Sequence, residues 1–295
     1  MILSKTPHKI GCVIKNSTIL IKSDVSRSEF VEEILNSVES NHKLGIELTC
    51  FELPQECSSF PDFCVVEEDE PENELLEKLT FFLRNSSHRI FFILPHYYFL
   101  GSQIPSVVTE TSSLLYKISY LLEHLGVKTP SIIIRIGSAY GNRKITMVRF
   151  NSEVHNLHSG VRRLLCVTND EKPSLFSVTD LMSGVFYDTK IPICFRFLPH
   201  QFNSGGLSAR EALFLSCSTW QDGIKPIFIH GEPEEIDENG LALSVVPSLL
   251  LKHRIPTFGL DVDVILDTLD SKKACLRYMS ESYGLKPIVI NKIGK

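Results

Sequence analysis

The sequence predicts an α/β fold, a single-domain (β/α)8 TIM barrel over residues 1–295. Three observations predict it. Eight short apolar segments read as strands, and each is followed by a stretch with helical spacing of apolar residues. Eight such units in 295 residues suit a barrel, and their alternation implies parallel strands with right-handed crossovers. The doubly wound alternative needs a glycine-rich phosphate turn after the first strand, and Gly11-Cys12-Val13 supplies none. No shift in composition marks an internal boundary.

The elements follow in order. Ile10–Val13 is apolar, Asn16-Ser17 interrupts it, and Thr18–Ile21 resumes it. Ser26 or Ser28 caps a helix in which Phe30, Val31, Ile34, Leu35 and Val38 recur at helical spacing up to Gly45. Residues 46–53 alternate like a strand that Pro54 stops. Residues 55–71 form a loop whose acidic run, Glu67–Glu70, reads as a solvated face. Helix 72–85, strand 89–94 and helix 104–125 lead to the most informative stretch, Ser131–Phe150. There Ile132, Ile133 and Ile134 make a strand, Arg135 stands at its end, Gly137 and Gly141 bracket a turn, and helix 144–158 begins. Strand 163–168, helix 177–188, strand 191–197, a polar loop His200–Gly206 and helix 208–219 come next. Strand 225–230, an acidic loop 231–239, helix 243–253, strand 258–263 and helix 268–283 complete the pattern.

The composition, 43% hydrophobic and 22% charged, provides for a large core. The net charge of −5 gives no global reason to expect nucleic acid, although a local basic cleft would suffice. None of the eight cysteines forms a C-x-x-C pair. Cys50, Cys57 and Cys64, seven apart, read first as reduced thiols and second as a metal site. There is no apolar leader and no run near the ~18 residues a membrane span needs. The expectation is a soluble, intracellular, monomeric protein.

In such a barrel, chemistry sits at the carboxyl ends of the strands. Those ends fall at Cys12–Lys15, Glu47–Glu52, Ile93–Tyr97, Arg135–Tyr140, Thr168–Glu171, Arg196–His200, Ile229–Glu232 and Asp261–Asp267. Arg135 and Arg196 end strands four and six. A guanidinium neither binds metal nor deprotonates, but it holds phosphate or carboxylate through two hydrogen bonds. Anion binding and an internal ion pair with Asp170, Asp263, Asp267 or Glu47 are evenly balanced readings.

Several segments resemble the UV-damage endonuclease family, metal-dependent barrel nucleases that nick DNA beside photoproducts. Arg89–Ser102 runs in step with the family's His-Pro-x-Gln-Phe and its following Leu-Gly-Ser. Ile134–Phe150 resembles His-x-Gly-Gly-x-Tyr-Gly with its downstream Arg-Phe, here Tyr140-Gly141 and Arg149-Phe150. Leu165–Glu171 resembles Leu-Glu-Asn-Asp-Asp, Ile191–Asn203 the strand ending Asp-x-His-His, and Asp263–Ala274 the terminal Asp-Val-Met-Leu-Glu-Ala-Lys. The match is nearly collinear from about 40 to 280, and order and spacing carry it because no single motif is intact. The resemblance implies divalent metal such as Mn and repair-type hydrolysis of DNA. It also implies that most ligand positions are substituted. The family's ligands fall at Ile93, Arg135, Thr168, Arg196, Leu198-Pro199, Ile227 and Ile229, with His230 one position off. On a strand, one position turns a side chain to the other face. Asp267 and His230 are the remaining metal candidates, and no metal site or cofactor is expected. The lesion-probing pair falls at His96 and Tyr97.

The favoured reading is a degenerate family member, a pseudoenzyme that binds DNA or a protein partner. Its expected anion- or DNA-binding residues are Arg135, Arg196, His96, Tyr97, Tyr140 and Asn169; catalytic residues are not assigned. The second reading is an active metal-dependent repair nuclease with ligands moved to His96, Glu171, His200, His230, Glu232 and Asp267. The third is a barrel enzyme clamping a small anionic metabolite between Arg135 and Arg196.

Overall fold

Ser26 starts the first helix in the way its neighbours dictate. Its hydroxyl accepts the Glu29 N–H, and the Glu29 carboxylate accepts the Ser26 N–H at 3.0 Å. From there Phe30, Val31, Ile34, Leu35 and Val38 form the buried face of α1, Arg27–Lys43. The structure is a computed structural model that describes residues 8–15, 26–54, 60–63, 71–238 and 240–281. Thr18–Ile21, Cys57, Cys64 and the acidic run Glu67–Glu70 lie outside the described residues.

Strands β1 (Ile10–Ile14), β2 (Leu48–Glu52), β3 (Arg89–Ile93), β4 (Ile132–Ile134), β5 (Leu165–Thr168), β6 (Ile193–Arg196), β7 (Ile227–His230) and β8 (Asp263–Leu266) close a barrel in sequence order. The paired strands are parallel. Contacts divide the chain into two halves, residues 14–166 and residues 1–13 with 167–295.

In the first half, α2 (Pro71–Ser86), α3 (Pro105–His124), α4 (Arg143–Asn156) and the short α5 (Ser159–Leu164) follow α1. Phe51 and Phe92, partners in the β2–β3 register, stack with ring centroids 5.6 Å apart. In the second half, α6 (Val178–Leu181) continues through a π-helical turn, Met182–Phe186, into α7 (Tyr187–Thr189). Then come α8 (Phe197–Phe202), α9 (Ala209–Cys217) and α10 (Ser271–Glu281). Phe195 on β6 meets its register partner Phe228 on β7 at 6.3 Å.

Four expected elements differ. Leu164 still belongs to α5, so β5 begins at Leu165. The expected polar loop from His200 overlaps α8, which buries Phe197, Leu198 and His200; Pro199 falls in the first turn, where its missing N–H costs nothing. The strand expected at 258–263 is displaced to 263–266, because Phe258 and Gly259 both take positive φ and turn the chain. The helix expected at 243–253 is absent. Residues 233–238 and 240–247 instead run antiparallel as an arm, with Pro233 bridged to Pro247 and Ile236 to Ala242. Pro247 would break a helix there, and backbone pairing with residues 233–236 holds the segment open.

Candidate functional site

In the half made of residues 14–166, β3 ends at Ile93 and the Pro95 carbonyl accepts the Tyr98 N–H at 3.1 Å. That turn presents His96 and an exposed Tyr97. Arg135 follows β4 directly, and one terminal nitrogen of its guanidinium lies 2.8 Å from His96 Nε2. The two residues form one cationic group, in which the guanidinium donates and the imidazole accepts. Beyond Arg135 the chain turns at Gly137, whose φ is +112°, and a Cβ there would fall 2.2 Å from the Phe99 ring. The following turn holds Tyr140 at φ +46°. Its hydroxyl is 3.3 Å from Ser102 Oγ, and Arg149 lies 5.6 Å over its ring. Arg149 itself donates to the Gly101 carbonyl and to Thr146 Oγ1, at 3.2 and 3.0 Å. Asn142 caps α4 by accepting the Ile145 N–H, which places Arg149 for this role. Sequence reasoning missed the Arg149–Tyr140 stack as a site feature. Its signal was the Tyr-Gly and Arg-Phe spacing within Ser131–Phe150.

In the other half, Arg196 is the last residue of β6. Asn169, just past β5, brackets its backbone: Oδ1 accepts the Arg196 N–H at 2.8 Å and Nδ2 donates to the Arg196 carbonyl at 3.1 Å. The side chain of Asn169 thus serves to fix Arg196. The guanidinium reaches Asp267, just past β8, at 3.0 Å, and the two side chains are 15% and 13% exposed. The Asp267 N–H in turn donates to the His230 carbonyl at 2.8 Å. Of the two balanced readings for Arg196, the structure shows the ion pair, with Asp267 as the partner. Asp263, expected among the strand ends, opens β8 at the amino end instead, where it is buried with Lys225 at 3.2 Å.

His230 ends β7, fully buried against Phe197, with ring centroids 4.8 Å apart. Its ring nitrogens have no hydrogen-bond partner among the described residues, and neither has Thr168 Oγ1. Burial, aided by nearby His253, pushes the His230 pKa down to about 3. His200 is buried beside Phe195, and burial pushes it down to about 4 against an opposing backbone contact from Leu207. Both imidazoles are therefore neutral. Glu232 accepts the Lys252 and His253 N–H groups at 2.8 and 2.9 Å and lies 3.3 Å from His253 Nδ1. This clasp closes the arm, and no motif or spacing marks His253 as part of it. Among the described residues no three His, Cys, Asp or Glu side chains group to hold a metal ion. Hydrolysis at a divalent cation needs several converging carboxylates or imidazoles.

The family model for UV-endonuclease UvdE matches residues 28–294. The chain belongs to the UvdE family. A putative UV-damage endonuclease of Acanthamoeba polyphaga mimivirus is 23% identical over 221 residues, which is 72% of this chain and 66% of that protein. A UV DNA damage endonuclease of Bacillus thuringiensis subsp. konkukian is 21% identical over 219 residues, covering 72% of this chain and 68% of the relative. The match thus spans about two thirds of the length of these UvdE relatives. The crystal structure of SacUVDE superimposes with a TM-score of 0.75 at 24% identity, covering 94% of this chain and 98% of that one. Endonuclease IV from Thermus thermophilus shares the fold at a TM-score of 0.63 and 13% identity, covering 94% of this chain and 99% of that one. Of the positions that the UvdE resemblance assigned to ligands, Ile93, Ile227 and Ile229 are buried aliphatic residues. No helix among the described residues is long and apolar enough to cross a membrane.

Proposed function

We propose that this UvdE family member binds the DNA backbone without cutting it by metal-assisted hydrolysis, as one barrel domain over residues 1–295. The observation that carries the reading is the Arg196–Asp267 pair. Under the family resemblance both residues stand at ligand positions. The Arg196 guanidinium carries fixed positive charge at such a position, and the Asp267 carboxylate balances it until a phosphate takes the carboxylate's place. The guanidinium orients a phosphate through hydrogen bonds, but it does not generate hydroxide. In the first half, Arg135 with His96 offers a second cationic group, and Tyr97 and Tyr140 offer exposed rings. Base stacking on such rings contributes about 1–3 kcal/mol per base.

The chemistry open to these groups is binding and orientation. Arg196, held by Asn169, donates to a phosphate oxygen once it exchanges Asp267 for that oxygen. Arg135 does the same from its own strand end. The buried neutral His200 and His230 pack against phenylalanine rings, so as they stand they are core residues and not relocated ligands.

The test is binding of intact and UV-irradiated duplex oligonucleotides, followed by fluorescence anisotropy, by the wild type and by Arg135→Ala with Arg196→Ala. The double variant is expected to bind at least tenfold more weakly, which corresponds to about 1.4 kcal/mol. Unchanged binding contradicts the proposal. Stabilisation by sugar phosphates but not by oligonucleotides would instead favour a small anionic metabolite as the ligand.

A further inference from the structure

The arm between β7 and β8 is chemically unlike the barrel it leaves. From Pro226 to Leu251 the sequence contains no lysine or arginine, while Glu234, Glu235, Asp237 and Glu238 crowd its outgoing segment. The returning segment is apolar and open: Leu241, Leu243 and Val245 are 53%, 62% and 50% exposed. Leu241 and Leu243 flank Ala242, which is bridged to Ile236, so these two side chains share one side of the paired segment. Val246 and Leu249 extend the exposed apolar surface.

The arm has a fixed shape. The Glu234 N–H donates to the Val246 carbonyl at 2.9 Å, and the Leu243 N–H donates to the Glu235 carbonyl at 3.0 Å. The tip is closed by Asp237 Oδ1, which accepts the Leu241 N–H at 2.7 Å. The base is held by the Glu232 clasp and by the Leu269 N–H, which donates to the Ser248 carbonyl at 3.0 Å. Glu235 stands opposite Leu243, so carboxylates and apolar side chains occupy neighbouring sites. A surface of this kind repels a phosphate backbone. Contiguous exposed apolar surface rimmed by charge marks a protein-binding site.

We infer that the arm at residues 233–249 docks a protein segment in which lysine or arginine alternates with apolar residues. Charge selects the sign of the partner: the exposed Glu234, Glu235 and Glu238, in a stretch whose sequence holds no lysine or arginine, complement a basic segment. Spacing selects its conformation, because Leu241 and Leu243, on either side of the Ile236–Ala242 bridge, match the period-two side chains of an extended segment.

The test uses the full chain and three fluorescent octapeptides: alternating Lys–Val, alternating Glu–Val and alternating Lys–Ser. Lys–Val is expected to bind about tenfold more tightly than either control, since each control lacks one half of the complementarity. Glu234→Lys with Glu235→Lys, and separately Leu243→Ser with Val245→Ser, each abolish that preference. Both pairs are exposed, so the barrel folds, and retained oligonucleotide binding confirms it. Equal binding of Lys–Ser, or a preference that survives both variants, overturns the proposal. So does concentration-dependent self-association of the chain that Leu243→Ser with Val245→Ser removes, because the occupant is then a second copy.

Discussion

Asp267→Asn isolates what the Arg196 pair does. At 3.0 Å the two charges attract by about 5 kcal/mol with an effective dielectric of about 20. Desolvation of two side chains 15% and 13% exposed cancels most of that gain. Removing one partner of such a pair is nevertheless costly, about 3–5 kcal/mol, because the other charge is left unmatched. Asn keeps an oxygen that accepts from Arg196, so the low end, about 3 kcal/mol, applies. The same change releases Arg196 for an incoming phosphate and removes the carboxylate that repels it. A charge-assisted hydrogen bond contributes about 1.5–3 kcal/mol, so oligonucleotide affinity rises by about tenfold or more. The assay combines urea unfolding of the free protein with anisotropy at fixed salt. Asp267→Asn should lower the unfolding free energy while tightening DNA binding. Arg196→Ala should lower both, and Arg196→Ala with Asp267→Asn should recover stability relative to Arg196→Ala. Weaker or unchanged DNA binding by Asp267→Asn refutes the assignment of Arg196 as a phosphate ligand restrained by Asp267.

Other outcomes follow from the same geometry. Arg135→Ala should weaken oligonucleotide binding at low salt and reduce the slope of log K against log salt by about 0.9, as expected for one lost phosphate contact. His200 and His230 have folded pKa values of about 4 and about 3, below the ordinary 6.5. The unfolded chain therefore binds more protons between pH 6.5 and these values. Stability is full above pH 6.5 and falls as pH drops toward 4, by up to about 1.4 kcal/mol per pH unit for each histidine. His230→Leu should flatten that decline in urea titrations, and an unchanged slope would count against burial as its origin. Gly137→Ala should destabilise the chain by well over about 1 kcal/mol in urea unfolding, because φ is +112° and the new Cβ meets the Phe99 ring at 2.2 Å.

Much of the barrel is legible because its strands are short apolar runs such as Ile132–Ile134, and because its helices carry local caps such as Ser26 with Glu29. The errors share a cause: local pattern is ambiguous where tertiary partners decide. Leu241–Leu251 is rich enough in leucine to read as a helix, yet Pro247 and the Glu232 clasp set it as an arm. Displacement of the eighth strand moves Asp263 away from the strand ends and leaves Asp267 there, because two adjacent positive-φ residues at 258 and 259 outweigh an apolar run. At the site, Arg135 and Arg196 stand out from sequence alone. The role of Arg196 stays open at that level, since residue type does not choose between a carboxylate 71 positions away and an external phosphate. The Arg135–His96 and Arg196–Asp267 contacts join residues far apart in the chain, and periodicity carries no information about them.

The central claim, DNA binding without metal-assisted cleavage, is tested most directly by one measurement. UV-irradiated duplex oligonucleotide is incubated with the full chain in EDTA and then in excess Mn, with anisotropy and strand nicking followed in the same samples. The account predicts full binding in EDTA, binding lost in Arg135→Ala with Arg196→Ala, and no nicking when Mn is added. Nicking that appears with Mn and disappears with EDTA would contradict it.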